Sequence, residues 1–229
     1  MKRSRINAAI RHAKRSLEQI RFRLPDFAEW SPEEWRRNKP SAGTIFKTLQ
    51  GWDVTDFGSG NFEKIGAVLF TLRNGCVNEP GTGTPYAEKI IVLLHETEQE
   101  IPWHYHMRKT EDIINRGGGI LAMELAHAAE NGELDRSRPV DVYCDGILRS
   151  IKPGEIVEVT PGNSVTLRPG ICHRFWARKG FGDVVAGEVS TVNDDKTDNY
   201  FLEKASRFAE IEEDEAPLHP LVHEYARFL

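Results

Sequence analysis

The chain has 229 residues, with 30 Lys and Arg against 35 Asp and Glu and a formal net charge of −5. That balance gives no global case for a nucleic-acid partner, no apolar run is long enough to span a bilayer, and the N-terminus lacks the apolar stretch of a secretory signal. An apolar fraction of 39% supports one sizeable core, so a single structural domain is expected: a helical extension over 1–43 and a β-rich body over 44–229 with a helical tail.

Ile6, Ala9, Ile10, Ala13, Leu17, Ile20 and Leu24 recur at steps of three and four, which predicts an amphipathic helix ended by Pro25. Ser31-Pro32-Glu33-Glu34 starts a second helix, with Ser31 as N-cap, Pro32 at N1 and Glu34 placed for a capping box. The first helix is basic, carrying Lys2, Arg3, Arg5, Arg11, Lys14, Arg15, Arg21 and Arg23 against Glu18. An anionic partner or membrane surface is one reading of that charge. The favoured one is a solvated face paired with the acidic run 210–215 of the same or a second subunit.

From about Thr44 the texture changes to short β-rich runs separated by Gly, Pro, Asn and Asp. Strands are expected at 65–72, 88–94, 101–108, 120–125, 140–143, 147–150, 155–160, 164–167, 172–177 and 183–190. Residues 120–129 also fit a helical period, and Gly117-Gly118-Gly119 marks a point of backbone freedom. Such a pattern implies an all-β sandwich or small barrel and argues against a (β/α)₈ barrel. The tail from about Pro217 should pack back on the body. Cys76, Cys144 and Cys172 are few, odd in number and far apart, which suits a reducing cytoplasmic compartment. Cys172 reads as a buried thiol rather than a nucleophile.

The chemistry concentrates in 103–111 and 169–173. His104 and His106 stand one residue apart on an expected strand and so project to one face. Glu111 after a short turn and His173 on a distant strand can close around the same divalent cation. Three imidazoles and a carboxylate suit Mn, Fe, Co, Ni or Zn, with positions left for substrate on a six-coordinate ion.

The spacing His104-x-His106-x₄-Glu111-x₆-Gly118 resembles the first signature of the cupin superfamily. The second signature is similar at Gly170-x₂-His173, although Pro169 adjoins the glycine and Ala177 stands where an asparagine often follows. A narrower resemblance is carried by His104-Tyr105-His106-x₂-Lys109-x-Glu111-Asp112-Ile113-Ile114-Asn115-Arg116-Gly117-Gly118-Gly119, by Ala87-Glu88-Lys89-Ile90, and by Gly187-Glu188-Val189-Ser190-x₂-Asn193-Asp194-Asp195-x₂-Asp198-Asn199. These segments are similar to the D-lyxose isomerase family of cupin sugar isomerases, over most of the chain. The resemblance implies a cupin-type jelly-roll β-barrel with the N-terminal helices packed outside it, Mn²⁺, a homodimer, and interconversion of D-lyxose with D-xylulose and D-mannose with D-fructose.

An aldose–ketose isomerase needs a base for the hydrogen moved between C1 and C2, a proton carrier between O1 and O2, and positive charge where the enediolate develops. A cation on His104, His106, Glu111 and His173 keeps a net positive charge, but the base must come from elsewhere. Glu188 is the first choice, because a carboxylate inside the apolar strand 183–190 is costly unless it faces a polar cavity or a partner. A salt bridge to Lys89 or Arg174 is the structural alternative. Lys109 is read as charge or proton carrier, on the strength of the resemblance, and Lys89 as a substrate contact. Asp198 is assigned to sugar hydroxyls. Trp103 and Trp176 are read as core aromatics ahead of a sugar-stacking role.

Competing functions are a cupin Fe(II) dioxygenase, which the same ligands would serve, and a non-catalytic sugar-binding barrel. A phosphosugar isomerase would need cations for phosphate, with Arg108, Arg116 and Arg174 as candidates.

Overall fold

The computed structural model describes residues 1–192, 197–202 and 210–228. Its helices are α1 (Arg3–Gln19), α2 (Pro32–Asn38), α3 (Gly43–Lys47) and α4 (Tyr225–Phe228). α1 buries the expected stripe of Ile6, Ile10, Ala13 and Leu17, but it stops well before Pro25. Arg21 takes a left-handed φ of 58°, its N–H donates to the Glu18 carbonyl, and the Phe22 N–H donates to that of Leu17. That pair of bonds is a Schellman C-cap, so hydrogen bonding ends the helix before the proline is reached. α2 starts as expected. The Glu34 N–H donates to Ser31 Oγ at 3.3 Å and the Ser31 N–H donates to Glu34 Oε2 at 2.8 Å. α3 carries the helical segment past residue 43.

The strands are β1 (Gly51–Thr55), β2 (Ala67–Gly75), β3 (Gly83–Leu93), β4 (Glu100–Tyr105), β5 (Glu111–Gly118), β6 (Leu121–Ala128), β7 (Leu134–Asp135), β8 (Val140–Cys144), β9 (Ile147–Ile151), β10 (Ile156–Val159), β11 (Ser164–Leu167), β12 (Ile171–Ala177), β13 (Val184–Thr191) and β14 (Tyr200–Phe201). β6 settles the ambiguity at 120–129 in favour of strand, while β1, β5, β7 and β14 lie outside the expected set. The strands form an eight-stranded sheet ordered β1-β2-β3-β13-β5-β11-β8-β9 and a six-stranded sheet that runs β10-β6-β12-β4-β14. All named pairings are antiparallel.

Side-chain alternation sorts each strand between two layers. Leu69, Ile91, Ile113 and Ala186 of the larger sheet share one core with Ile101, Met123, Val157 and Phe175 of the smaller. The outward residues Val54, Val68, Phe70, Val92 and Val185 share a second core with the stripe of α1. This is a jelly-roll barrel of the cupin type with the N-terminal helices packed on one outer face. The triple glycine marks a close approach. At Gly118 (φ +89°) an added Cβ would lie 2.0 Å from the Asp183 carbonyl oxygen, and at Gly119 2.1 Å from that of Gly182.

The basic face of α1 is held within the same chain. Arg3 is fully buried, donating from Nε to Glu213 at 2.9 Å and from Nη1 to Glu224 at 2.9 Å. The Ser4 N–H donates to Asp214 at 2.9 Å, and Arg11 lies 3.6 Å from Glu215. The tail packs back as expected. Leu221, Val222 and Tyr225 are buried, and Tyr225 lies over Trp35 at 4.9 Å between ring centroids.

Candidate active site

The site lies inside the barrel, at one end, between the two sheets. β4 and the residue after it carry His104 and His106, and β12 carries His173 in register with His104. β5 begins with Glu111 on the facing sheet. All four side chains are buried, and one ligand atom from each lies within 4.8 Å of the others. The imidazoles are fixed from behind. Nδ1–H of His104 donates to the Pro102 carbonyl at 2.8 Å, that of His106 to the Asp198 carbonyl at 2.6 Å, and that of His173 to the Ile171 carbonyl at 3.1 Å.

That tautomer leaves each Nε2 with a lone pair aimed inward. Nε2 of His106 and His173 stand 3.4 and 3.0 Å from Glu111 Oε1, and among the described residues none of these three buried atoms has a hydrogen-bond partner. Acceptors this close repel unless a cation stands among them, so the donor set fits a divalent metal. Burial, with His173 and His106 alongside, holds His104 well below the ordinary imidazole range and therefore neutral, the form that ligates. Burial alone would raise the Glu111 carboxyl. The ammonium of Lys109 instead holds it well below the usual carboxylate range.

A second group of charges faces the cluster. Glu188 on β13 is in register with Lys89 on β3, and Lys89 Nζ stands 3.2 Å from Glu188 Oε1. Lys109 Nζ bridges the two groups, 2.6 Å from Glu111 Oε2 and 2.9 Å from Glu188 Oε1. Lys89, Lys109 and Glu188 are each buried. They line the same cavity as His104, His106 and Glu111, which measures about 470 Å³ out to its open mouth. Its apolar wall includes Phe57, Ile91, Phe175 and Phe201. Two structural partners are expected for Glu188. Lys89 is one, whereas Arg174 pairs with Glu124 at 2.9 Å and stacks over Trp103 and Trp176.

Other expectations change. Asp198 was assigned to sugar hydroxyls, but its carboxylate is buried and accepts the backbone N–H groups of Met107, Arg108 and Lys109. It is not in the cavity lining, whereas its neighbour Asn199 is. Asn199 Oδ1 is buried with no hydrogen-bond partner among the described residues. The sequence offered only its place beside Asp198 as a signal. Trp103 and Trp176 do not line the cavity, and neither do Arg108, Arg116 and Arg174. Asn193, Asp194, Asp195 and Lys196 lie outside the described residues. Cys172 is fully buried, and burial pushes its thiol up to about 11, as suits an inert thiol.

Comparison with known proteins agrees with this geometry. The family model described as D-lyxose isomerase matches residues 1–225. A D-lyxose/D-mannose isomerase of Serratia proteamaculans is 43% identical over 231 residues, covering 100% of both chains. One of Escherichia coli O157:H7 is 44% identical over 230 residues, again with 100% of both covered. Among solved structures, L-ribose isomerase of Acinetobacter sp. DL28 in complex with L-ribose superposes with a TM-score of 0.59 at 17% identity, over 93% of this chain and 98% of that one. L-ribose isomerase of Cellulomonas parahominis with L-ribose gives 0.55 at 17%, over 90% and 96%. At that identity the two structures speak for the fold alone.

Proposed function

Because the chain belongs to the D-lyxose isomerase family, and so is a sugar isomerase, we propose that it interconverts D-lyxose with D-xylulose, and D-mannose with D-fructose, through an enediol. One observation carries this reading: a single cavity sets Glu188 and two lysines against a buried cluster of three histidines and a glutamate. His104, His106, Glu111 and His173 would hold the cation. When bound, it supplies net positive charge that polarises the oxygens at C1 and C2 of the open-chain sugar.

The chain's own groups do the rest. Glu188 takes the proton from C2 of the aldose and returns it to C1, while the hydroxyl proton moves from O2 to O1. Lys109, between Glu111 and Glu188, sits where it can stabilise charge on those oxygens and relay that proton. Lys89 holds Glu188 from the other side and meets the substrate. Asn199 offers an amide oxygen to a sugar hydroxyl.

Mn²⁺ is the proposed metal. The mixed nitrogen and oxygen donors suit it, and the family resemblance favours it, as it favours a homodimer. Unpaired cysteines support a cytoplasmic setting, and among the described residues no helix is long and apolar enough to cross a membrane. Unphosphorylated sugars are favoured because the cations in the cavity, Lys89 and Lys109, already face carboxylates.

The test is to strip the metal, restore Mn²⁺, and assay lyxose, mannose and their 6-phosphates for ketose, with an oxygen electrode in parallel. Ketose from the free sugars only, dependent on the metal, is expected. Ketose from the phosphates alone would move the substrate class, and metal-dependent oxygen uptake without ketose would favour a dioxygenase.

A further inference from the structure

The turn between β4 and β5 presents two site groups, His106 and Lys109, and one residue outside the cavity grips it. Asp198 is 3% exposed. Its Oδ1 accepts the Met107 N–H at 2.9 Å and the Arg108 N–H at 3.2 Å, and its Oδ2 accepts the Arg108 N–H at 3.3 Å and the Lys109 N–H at 3.0 Å. Its main-chain carbonyl accepts Nδ1–H of His106 at 2.6 Å. Three successive N–H groups converging on one anion make a nest, and bonds to an ionised acceptor are about twice as strong as neutral ones.

The ends of the turn are fastened separately. The Gly170 N–H donates to the His106 carbonyl at 2.8 Å, and the Thr191 N–H donates to the Thr110 carbonyl at 3.0 Å. Met107 and Arg108 are exposed on the outside of the turn, so packing does not hold its middle. Asp198 reaches that middle from within.

We propose that Asp198 is a positioning residue. It locks the 106–110 turn so that His106 Nε2 faces the metal cluster and the Lys109 ammonium reaches both Glu111 and Glu188, and it touches neither substrate nor cation. Because Asn199 lines the cavity next door, the same grip also sets that stretch of wall. Only the acid offers acceptor oxygens to all three N–H groups. Asn would keep one acceptor oxygen and turn two N–H donors toward the N–H groups of the turn. This inference rests on the metal-centre reading above.

The test compares wild type, Asp198→Asn and Asp198→Ala. Each is stripped, titrated with Mn²⁺ against a competing chelator, and loaded with Co²⁺ for its visible absorption spectrum. Then kcat and KM are measured on the sugar that wild type turns over. Asp198→Ala is expected to weaken Mn²⁺ binding by about 10- to 100-fold, shift the Co²⁺ bands and lower kcat, with KM little changed and Asp198→Asn intermediate. A raised KM with unchanged Mn²⁺ affinity and Co²⁺ spectrum would overturn the proposal and make Asp198 a substrate ligand. Unchanged kcat and affinity in both variants would overturn it too, since the turn would then hold unaided. If Asp198→Ala does not fold, the isosteric Asp198→Asn decides by the same measurements. A wild type that binds neither ion would overturn the metal-centre reading itself, a result distinct from either of these.

Discussion

Two regions of this molecule bury charge, and they do so to opposite ends. On the outside of the barrel, Arg3 is fully buried against Glu213 and Glu224 with its guanidinium bonds made. Inside the barrel, His106 Nε2, His173 Nε2 and Glu111 Oε1 are as deeply buried yet have no hydrogen-bond partner among the described residues. Burying an unsatisfied polar atom costs about 1–3 kcal/mol. A fold tolerates several together only where something else completes them. The satisfied cluster holds the chain together, and the unsatisfied one has a donor set that could hold a metal ion.

The comparison can be broken from either side. The largest effect should come from His104→Ala, which removes one donor of four. Metal analysis should find the ion lost and turnover should vanish, while Tm of the metal-free protein changes little. Next is Glu188→Gln, expected to lower kcat by about 10³-fold with metal content unchanged. Loss of metal there would make Glu188 part of the cluster instead of the base.

The outer region should respond in the opposite currency. Arg3→Ala takes the buried guanidinium away from Glu224, which among the described residues keeps only the Leu221 N–H at 3.1 Å and Arg227 at 4.0 Å; breaking a buried pair typically costs about 3–5 kcal/mol. Denaturant unfolding should register that loss, while kcat/KM of the surviving folded protein stays at the wild-type level. Hydrogen bonds from Arg3, with a further one from Arg227, lower the Glu213 carboxyl from its ordinary 4.5 to about 2. Its folded value is depressed, so its stabilisation is complete above about pH 4.5 and lost as pH falls toward 2. The smallest effect follows: the Tm gap between wild type and Glu213→Gln should be open above pH 4.5 and close below it. A gap that does not change with pH would mean that Glu213 contributes by packing and not by charge.

His104, His106 and Glu111 of the buried cluster were legible in the sequence because their spacing is local. Alternation on a strand puts His104 and His106 on one face, and the turn to Glu111 is short. β5 itself escaped notice for the same reason that it matters. Its inward positions are Glu111, Ile113, Asn115 and Gly117, so site groups and a close approach replace the apolar residues that reveal a half-buried strand. Asp198 was seen as an acid in a sugar-like loop, but its true neighbours are backbone N–H groups some 90 residues away, which no side-chain pattern records. The end of α1 was likewise set by backbone bonds at Arg21 rather than by Pro25. What the sequence hid was written in main-chain geometry and in pairings distant along the chain.

The grip on Arg3 also has a consequence in time. Its partners Glu213 and Glu224 lie 210 and 221 residues downstream. During synthesis α1 therefore leaves the ribosome long before the acids that neutralise its buried guanidinium exist. Closing so long a loop is entropically late. The helix can lay its apolar stripe on the sheet beforehand, but Arg3 must stay hydrated until the tail arrives. A segment translated later thus seals one made some 210 residues earlier.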